Sequence, residues 1–478
     1  MRGIKQSFRA AVASAACSAA AVLVGYDMYM IGSIIANQEF IEQFGVYHDS
    51  LDTWTLPANR QLVWTICQFA AAILGAVIVG QISDVLGRRV CFLATIGLTF
   101  LGTTIEVVSP NWGVWSLGKV IFGLAMGFMQ GNTQVYVSEV APVHIRGFML
   151  SLFQLWLVLG SFLATCVLEG TSKVSGSWSW KAAIVSQYGI GILCLLLFLC
   201  LATESPYWLV TKGRHEAAKN VLLRLRGRES GFDVEVDLAI IKATIQQEQE
   251  ESSAGVTYLE CFGGVNLRRT LIACLPMAMQ QFCGFPLCGN YLAYFLTLSG
   301  LDNAFLITLI STLLSLAAVL LSFALIENVG RRPQLLAGVF GMIPCLLAIT
   351  VLGWVARGTT ANGQALAGFS IIWCIFYYVS LGAIGWTIVG EVSSSRLRAK
   401  TTAIATSVNA LCNLVWAIAI PYLINAENAN LGPKAGVVFL GPAVGLSIIA
   451  FFAVPETKGR SFAELDRLFE LRTPARKF

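Results

Sequence analysis

Apolar runs long enough to cross a bilayer recur along this chain, and they limit its fold more than any other feature. Such a crossing takes ~20 apolar residues in a helix. Twelve runs fall near residues 10–35, 61–83, 90–110, 114–138, 147–169, 181–203, 270–298, 303–326, 333–356, 367–390, 401–424 and 435–455. Only 12% of the residues are charged, against about 25% in soluble domains. The sequence therefore predicts an all-α membrane protein with twelve transmembrane helices in two six-helix bundles.

One polar stretch, residues 205–268, separates the first six runs from the last six. Within it, segments 215–226 and 234–249 combine dense charge with helical periodicity, which predicts a short cytoplasmic helical bridge. The predicted domains are a first bundle, the bridge, a second bundle and a cytoplasmic tail, at residues 1–204, 205–268, 269–456 and 457–478.

One order of charges occurs twice, once in each half of the chain. The two sets are Asp84, Gly87, Arg88, Arg89, Glu139, Arg146 and Glu204, and Glu327, Gly330, Arg331, Arg332, Glu391, Arg398 and Glu456. In both sets the last two glutamates are 65 residues apart. Because charges are rare elsewhere, this repeat indicates two homologous bundles that face one site. That plan is typical of secondary transporters.

Basic residues indicate how the helices are oriented. Arg88 and Arg89, the segment from Lys212 to Arg228, Arg331 and Arg332, and the C-terminal segment fall on one side of the predicted membrane. Basic loops mark the cytoplasmic side, so both termini are predicted to be cytoplasmic. The net charge of +5 follows from this topology, and nucleic acid need not be invoked as a partner.

Signatures of enzymatic chemistry are missing from the sequence. It contains no phosphate-binding loop, HExxH motif or nucleophile elbow. The 13 cysteines have neither CxxC pairs nor metal-ligand spacing, and are interpreted as small buried hydrophobes. We therefore expect no enzymatic activity, no cofactor and no metal site.

Short motifs in both halves resemble those of a known family. They are Gly25-Tyr26-Asp27, Asp84 through Arg89, Ser138-Glu139 through Arg146-Gly147, Glu204-Ser205-Pro206 and Pro455 through Arg460. In this order, over nearly the whole chain, they resemble the sugar porters of the major facilitator superfamily. Segments 394–401 and 461–470 are most similar to fungal α-glucoside (maltose-type) permeases. The resemblance implies the major facilitator fold and a sugar substrate, and we expect a monomer in the plasma membrane.

The repeated charges can form a gate. The guanidinium groups of the arginine turns can pair with Glu139 or Glu391 and with helix C-terminal carbonyls, while Asp84 can face a helix N-terminus across the interface. Such pairs can hold the inner gate shut. The alternative is simple topology anchoring. The gate is favoured because the acids repeat together with the bases, so the charged residues of both sets are the predicted gating residues.

Asp27 lies about halfway through a predicted spanning helix, where a carboxylate is costly unless it is paired or protonated. Its expected partner is Lys119. In sugar porters that this chain resembles, the fourth helix carries arginine at this position and the first-helix aspartate is linked to proton coupling. Asp27 and Lys119 are therefore the predicted coupling pair, and the alternative is a static ion pair. Three other charged positions expected from maltose-type permeases are Val24, Ala72 and Thr406 here.

A sugar site needs amides for the hydroxyls and an aromatic face for the ring. The residues that resemble sugar-contacting positions, or that add an aromatic wall, are Gln154, Gln280, Gln281, Asn290, Tyr377, Trp386, Asn409 and Asn413. Any one amide can instead hold helices together, and Trp386 can instead fill the core. Convergence of amides from four helices favours the binding site.

These expectations combine into a facilitator that moves a sugar by alternating access, inward and with a proton. One alternative is a facilitative uniporter, or an exporter of another hydroxylated metabolite, because the three further charged positions are apolar or neutral. A second alternative is a sugar sensor that binds without transporting.

Overall fold

The chain is almost entirely helical in its computed structural model. The structure describes residues 7–34, 37–48, 53–171, 174–227, 232–250, 258–290, 292, 304–355, 360–394, 397–424, 431–460 and 462–478. The helices of the first half are α1 (Phe8–Ser18), α2 (Ala21–Ile34), α3 (Gln38–Phe44), α4 (Ala58–Leu86), α5 (Arg88–Val108), α6 (Trp112–Val140), α7 (Val143–Thr171) and α8 (Trp178–Leu201). The polar stretch forms α9 (Pro206–Thr211), α10 (His215–Arg226), α11 (Val234–Glu250) and a 3-10 turn (Tyr258–Phe262).

The second half repeats this helical plan. Its elements are α12 (Gly264–Phe282), a π-helix (Pro286–Asn290), α13 (Ala304–Asn328), α14 (Arg331–Val355), α15 (Thr360–Val379), α16 (Leu381–Val392), α17 (Arg398–Ile424), a 3-10 turn (Gly432–Ala435), α18 (Gly436–Ala453), α19 (Phe462–Glu470) and a 3-10 turn (Ala475–Lys477).

Eleven segments among the described residues are long and apolar enough to cross a membrane. They match eleven of the twelve predicted runs. The seventh run, 270–298, begins inside α12, which ends at Phe282 and is followed by a turn at Gly284 with φ +107° and by the π-helix. Part of that run lies outside the described residues.

Two predicted runs are each built from two helices. The first run is divided between α1 and α2, and the tenth between α15 and α16. At the second break, Ser380 leaves the helical conformation and its Oγ donates to the carbonyl of Phe376 at 2.6 Å. Serine side chains that bond the preceding turn compete with the helical ladder and bend helices.

A small hairpin departs from the all-α prediction. Strands β1 (Val46–His48) and β2 (Thr53–Thr55) pair antiparallel, with Val46 opposite Thr55. Beside the hairpin, Phe40 and Phe44 of α3 pack edge-on or tilted against tryptophans of α4, α6 and α8, at ring distances of 4.8 to 6.3 Å within this aromatic cluster. These rings cover one end of the first bundle.

Glycines bring the helices of the first bundle close together. A Cβ on Gly127 of α6 would lie 2.1 Å from the carbonyl oxygen of Ala72 on α4, and one on Gly160 of α7 would lie 2.1 Å from that of Val22 on α2. The four-residue spacing of Gly123, Gly127 and Gly131 predicts this close packing. The tight contacts fix α6 against α4 and α7 against α2.

The hydrophobic core is divided among several clusters. The second half has its own cluster, which includes Trp373 and Phe439. The bridge helices α9 to α11 bury a separate set around Leu222 and Ile241, as expected for a helical bridge. The boundaries drawn at residues 204, 268 and 456 stay predictions.

Candidate functional site

The two arginine turns share the same local geometry at their glycines. Gly87 and Gly330 have φ of +98° and +108°, a region that strongly favours glycine. A Cβ on Gly87 would lie 2.6 Å from Oε2 of Glu204, and one on Gly330 the same distance from Oε2 of Glu456. The sequence repeat is therefore also a structural repeat.

Each turn begins a helix whose first backbone amides are capped by a distant glutamate. The amides of Arg88 and Arg89 donate to Glu204 at 3.0 and 3.2 Å. In the second half, those of Arg331 and Arg332 donate to Glu456 at 3.0 and 3.1 Å. A carboxylate there satisfies orphan amides and the positive end of the helix dipole.

The guanidinium groups form bidentate pairs with the predicted glutamates. Arg88 donates to both oxygens of Glu139 at 3.1 and 3.0 Å. Arg331 donates to both oxygens of Glu391 at 3.2 and 2.9 Å. Each pair joins helices of one bundle, so these pairs brace the bundles internally and do not themselves bridge them.

Among the described residues, the contacts that bridge the two halves lie in the middle of the molecule and at the end that carries these turns, which we call the arginine end. Lys400, near the start of α17, lies 3.4 Å from Asp84 at the end of α4. This agrees with the predicted placement of Asp84 opposite a helix N-terminus. Gly147 lies against the Arg331 guanidinium, and the rings of Phe148 and Phe323 are 4.8 Å apart.

The bridge segment reinforces this closure. Tyr258 donates from its hydroxyl to the carbonyl of Val77 on α4 at 2.7 Å, and the Lys400 ammonium lies over its ring. Burial raises the pKa of the Tyr258 phenol to about 12, so the hydroxyl stays a donor at neutral pH. Among the described residues, hydrogen bonds, ion pairs and ring contacts between the halves occur at the arginine end and in the middle. The interface between the two bundles is therefore closed at the arginine end.

The remaining predicted gating residues occupy different places. Arg146 and Arg398 are buried at the matching helix starts, whereas Arg89 is exposed. Arg332 donates to the carbonyls of Ala475 and Phe451 within the second half. The side chain of Glu327 lies outside the described residues.

A polar network lies near the centre of the second half. Gln280 of α12 accepts from Asn409 of α17 at 3.0 Å and donates to the carbonyls of Leu381 and Gly382. Asn409 also donates to Met277 at 3.1 Å. Gln280 and Asn409 thus join three helices, which is the helix-joining role that the sequence left open.

Gln281 and Trp386 hold polar atoms that are buried and not hydrogen-bonded within the described part of the chain. These atoms are Oε1 of Gln281 and Nε1 of Trp386. Trp386 also crosses the interface, because its ring lies 4.7 Å from that of Phe153 on α7. One acceptor and one donor are therefore available near the middle of the molecule.

The other predicted sugar contacts are less clearly grouped. Gln154 on α7 and Asn413 on α17 are buried, one from each half. Tyr377 is stacked between Phe285 and Trp373, with ring distances of 4.8 and 5.2 Å, inside the core of the second half. The side chain of Asn290 lies outside the described residues.

The predicted pair of Asp27 and Lys119 is present, within a larger buried cluster. Lys119 Nζ donates to Asp27 Oδ1 at 2.8 Å, and Gln68 Nε2 donates to Oδ2 at the same distance. A second carboxylate, Glu106 of α5, lies 3.1 Å from the same ammonium. Asp27, Glu106 and Lys119 are 0, 1 and 2% exposed.

Sequence reasoning missed Glu106 and Gln68. With Val24, Ala72 and Thr406 at the expected charged positions, Asp27 is the one carboxylate that the sequence proposes for coupling, and the structure places a second carboxylate beside the same ammonium. The signal was present, because Glu106 is an acidic residue inside the third apolar run, 90–110, and an acid in a spanning helix is by default a functional candidate.

Comparison with known proteins agrees with this architecture. Residues 12–469 match a family described as sugar (and other) transporter. The chain belongs to this transporter family. It is 30% identical, over 98% of its length and 77% of the relative's, to a general alpha-glucoside permease from Saccharomyces cerevisiae. It is also 30% identical, over 94% of its length and 85% of the relative's, to the major facilitator-type transporter ecdD from Aspergillus rugulosus.

The fold of this transporter matches a solved structure. The proton:xylose symporter XylE bound to 6-bromo-6-deoxy-D-glucose aligns with a TM-score of 0.82 and 20% identity, over 97% of this chain and all of that one. The predicted major facilitator fold and the resemblance to fungal α-glucoside permeases are thus confirmed. The roles of individual site residues stay predictions.

Proposed function

We propose that this transporter carries a sugar of the hexose or α-glucoside class, by alternating access and together with a proton, into the cell. Family membership supports a transport function, and the name of the alpha-glucoside permease supports the substrate class. We propose that the amides and the Trp386 indole near the middle of the molecule bind the sugar. The buried cluster of Asp27, Glu106 and Lys119, which lies toward the end opposite the arginine turns, is proposed to couple the proton.

The observation that carries the substrate class is the pair of unsatisfied polar atoms on α12 and α16. Gln281 offers a carbonyl acceptor and Trp386 an indole donor, both buried. Burying such atoms without partners costs ~1–3 kcal/mol each. A sugar hydroxyl both donates and accepts, so the hydroxyls of a bound sugar can supply a partner to each of these atoms. The indole face also suits the apolar face of a pyranose ring.

Proton coupling is supported by the cluster of Asp27, Lys119 and Glu106. Ionisable groups this deeply buried in spanning helices are rare and commonly mark proton relays. A carboxylate that gains or loses a proton changes the charge balance between α2, α5 and α6. Such a change can alter how these helices pack and so favour one side of the alternating-access cycle.

The positive-inside rule supports placing the arginine end in the cytoplasm, with both termini there. The structure would then be the state closed to the cytoplasm. We further propose that the transporter acts as a monomer in the plasma membrane.

Uptake of a radiolabelled sugar panel into hexose-transport-deficient yeast tests this function. The proposal expects saturable uptake of at least one hexose or α-glucoside, and loss of accumulation when a protonophore is added. A variant that combines Gln281→Ala with Trp386→Ala tests the proposed site: it should reach the membrane and take up less sugar than the wild type. Absence of uptake for every sugar, with the protein at the cell surface, would contradict the substrate class.

A second candidate is a uniporter or an exporter of another hydroxylated metabolite. It is favoured by Val24, Ala72 and Thr406 at the positions where charges were expected, and by the relative from Aspergillus, whose name states no sugar. Sugar uptake that ignores both external pH and the protonophore would indicate the uniporter. Export would appear instead as lower retention of a preloaded compound.

A further inference from the structure

The buried charges of the first bundle do not balance if all of them are ionised. Asp27 and Glu106 supply two negative charges and Lys119 one positive charge, and each is at most 2% exposed. A net buried charge is strongly unfavourable, and such groups commonly take up or release a proton instead. One proton on one of the two carboxylates makes the cluster neutral.

Charges on the neighbouring helices do not alter this balance in the part of the chain that the structure describes. On α4, Arg60 directs its guanidinium to the carbonyls of Phe44 and Gly45 and to the ring of Trp112. On α8, Lys181 lies over the ring of Trp180 and Tyr188 shares a hydrogen bond with Thr104. Their ionic and hydrogen-bonding groups are thus engaged away from the cluster.

The two carboxylates are not equally well supported as anions. Asp27 receives aligned hydrogen bonds on both oxygens, from Lys119 and from Gln68, each at 2.8 Å. Glu106 Oε1 lies 3.1 Å from the ammonium but has no aligned hydrogen bond among the described residues. Hydrogen bonds to the charged form favour that form, so Asp27 is the carboxylate that stays ionised.

We propose that Glu106 carries the exchangeable proton of this transporter, while Asp27 and Lys119 remain a permanent ion pair. This inference rests on the proposed proton coupling and deepens it. In the step itself, the O–H bond of the Glu106 carboxylic acid breaks, the proton passes to water, and a carboxylate is left beside Lys119. The ammonium is then shared between two anions in place of one.

The fold holds Glu106 in a fitted position. A Cβ on Gly118, the residue before Lys119, would lie 2.6 Å from Cγ of Glu106 and 3.3 Å from the carbonyl of Gly102. Glycine at position 118 thus leaves the space in which the Glu106 side chain lies. The Gly118-Lys119 sequence places the space for the acid beside its counter-ion.

Infrared difference spectroscopy on the purified full-length protein tests the proposal without any substrate. Acid-minus-alkaline spectra of the wild type should contain the carbonyl stretch of a protonated, buried carboxylic acid. That band should shift when glutamate is labelled with carbon-13 at its side-chain carboxyl, and should not shift with equivalently labelled aspartate. It should be lost in Glu106→Gln and retained in the exposed control Glu42→Gln.

Three results would overturn the proposal: a band that follows the aspartate label, a band that persists in Glu106→Gln, or no band at all. Glu106→Gln is expected to fold because it leaves one anion and one cation. Gly118→Ala serves as a second variant, since it displaces the side chain and keeps the acid. We expect the carbonyl band of Gly118→Ala to be present but to titrate with a different midpoint pH from that of the wild type.

A transport measurement separates this proposal from the proposed function. Proteoliposomes under an imposed pH gradient are tested with glucose and with maltose. Wild type should accumulate sugar, whereas Glu106→Gln should only equilibrate it. If the wild type does not accumulate either sugar, the proposed coupling to these sugars is wrong and the infrared result still decides where the proton lies. If both proteins accumulate it equally, Glu106 is not the coupling residue.

Discussion

At the scale of single residues, two buried carboxylates share Lys119, and we therefore expect their substitutions to affect thermal stability non-additively. Asp27→Asn and Glu106→Gln each leave one anion with the cation, so each should be tolerated. The double variant leaves Lys119 buried without a counter-ion, which costs ~3–5 kcal/mol. We expect a clearly larger drop in the thermal unfolding temperature of the double variant than the two single drops added together.

The control for this prediction adds Lys119→Met to the double variant. Because no charge then remains in the cluster, the unfolding temperature should recover toward that of the single variants. Additive effects in the double variant would mean that the three side chains are not one electrostatic unit.

A second residue-scale prediction concerns sugar affinity. Gln281→Ala and Trp386→Ala should each weaken binding, because a lost hydrogen bond to the substrate is worth ~1 kcal/mol, or about five-fold in affinity. The measurement is the sugar concentration at half-maximal uptake, with surface expression monitored. The control Gln81→Ala removes an exposed amide on α4 and should leave affinity unchanged. Equal affinity in all variants would place the sugar elsewhere.

At this scale, chemistry and the family resemblance together point to one pair. A buried acid in a spanning helix requires a partner, and the resemblance to sugar porters points to Lys119 on the fourth helix. The participation of Glu106 depends on the close approach of α5 and α6 at Gly102 and Gly118. That approach is a tertiary contact, which a single sequence does not reveal.

At the scale of elements, the geometry of the arginine turns predicts that replacing their glycines destabilises the protein. Gly87→Ala and Gly330→Ala introduce a side chain at positive φ, which costs ~1–3 kcal/mol, and also push away the capping glutamate. Both variants should unfold at lower temperature than the wild type. Gly97→Ala is the matched control, because it lies inside α5 with no atom within 4 Å of the added Cβ. Equal effects at all three positions would contradict the role assigned to the turns.

Most helices could be predicted from apolar length, whereas the breaks within them could not. The division at Ser380 results from a side-chain bond to the preceding turn and from close packing, since a Cβ on Gly338 would lie 1.8 Å from Ser380 Oγ. The β-hairpin after α3 has strands of only three residues each. Strands this short carry too little alternation to be recognised in a sequence.

At the scale of the whole molecule, the repeat predicts two similar bundles but not which end of the interface is closed. That depends on the contacts between the bundles. Among the described side chains, Asp84 pairs with Lys400 in one place, and Phe148 packs against Phe323 in another. Closure at the arginine end thus includes an ion pair and an apolar ring contact.

Breaking the ion pair should therefore favour the state that is open at the arginine end. Lys400→Ala removes the contact with Asp84, which joins the two halves, and also the cation over Tyr258. Because the Asp84 side chain is 42% exposed, the pair is worth at most ~1 kcal/mol, or about a five-fold shift in the population ratio.

Hydrogen exchange should accelerate at the start of α7 and the end of α16, which meet where Gly390 packs against Leu150. The matched control is Lys400→Arg, which keeps a cation opposite Asp84 and should retain slow exchange; Asp84 itself is left in place because it also lies 3.3 Å from the Arg88 guanidinium. If Lys400→Ala exchanged at the wild-type rate in both segments, closure would rest on packing alone and the ion pair would have no part in the gate.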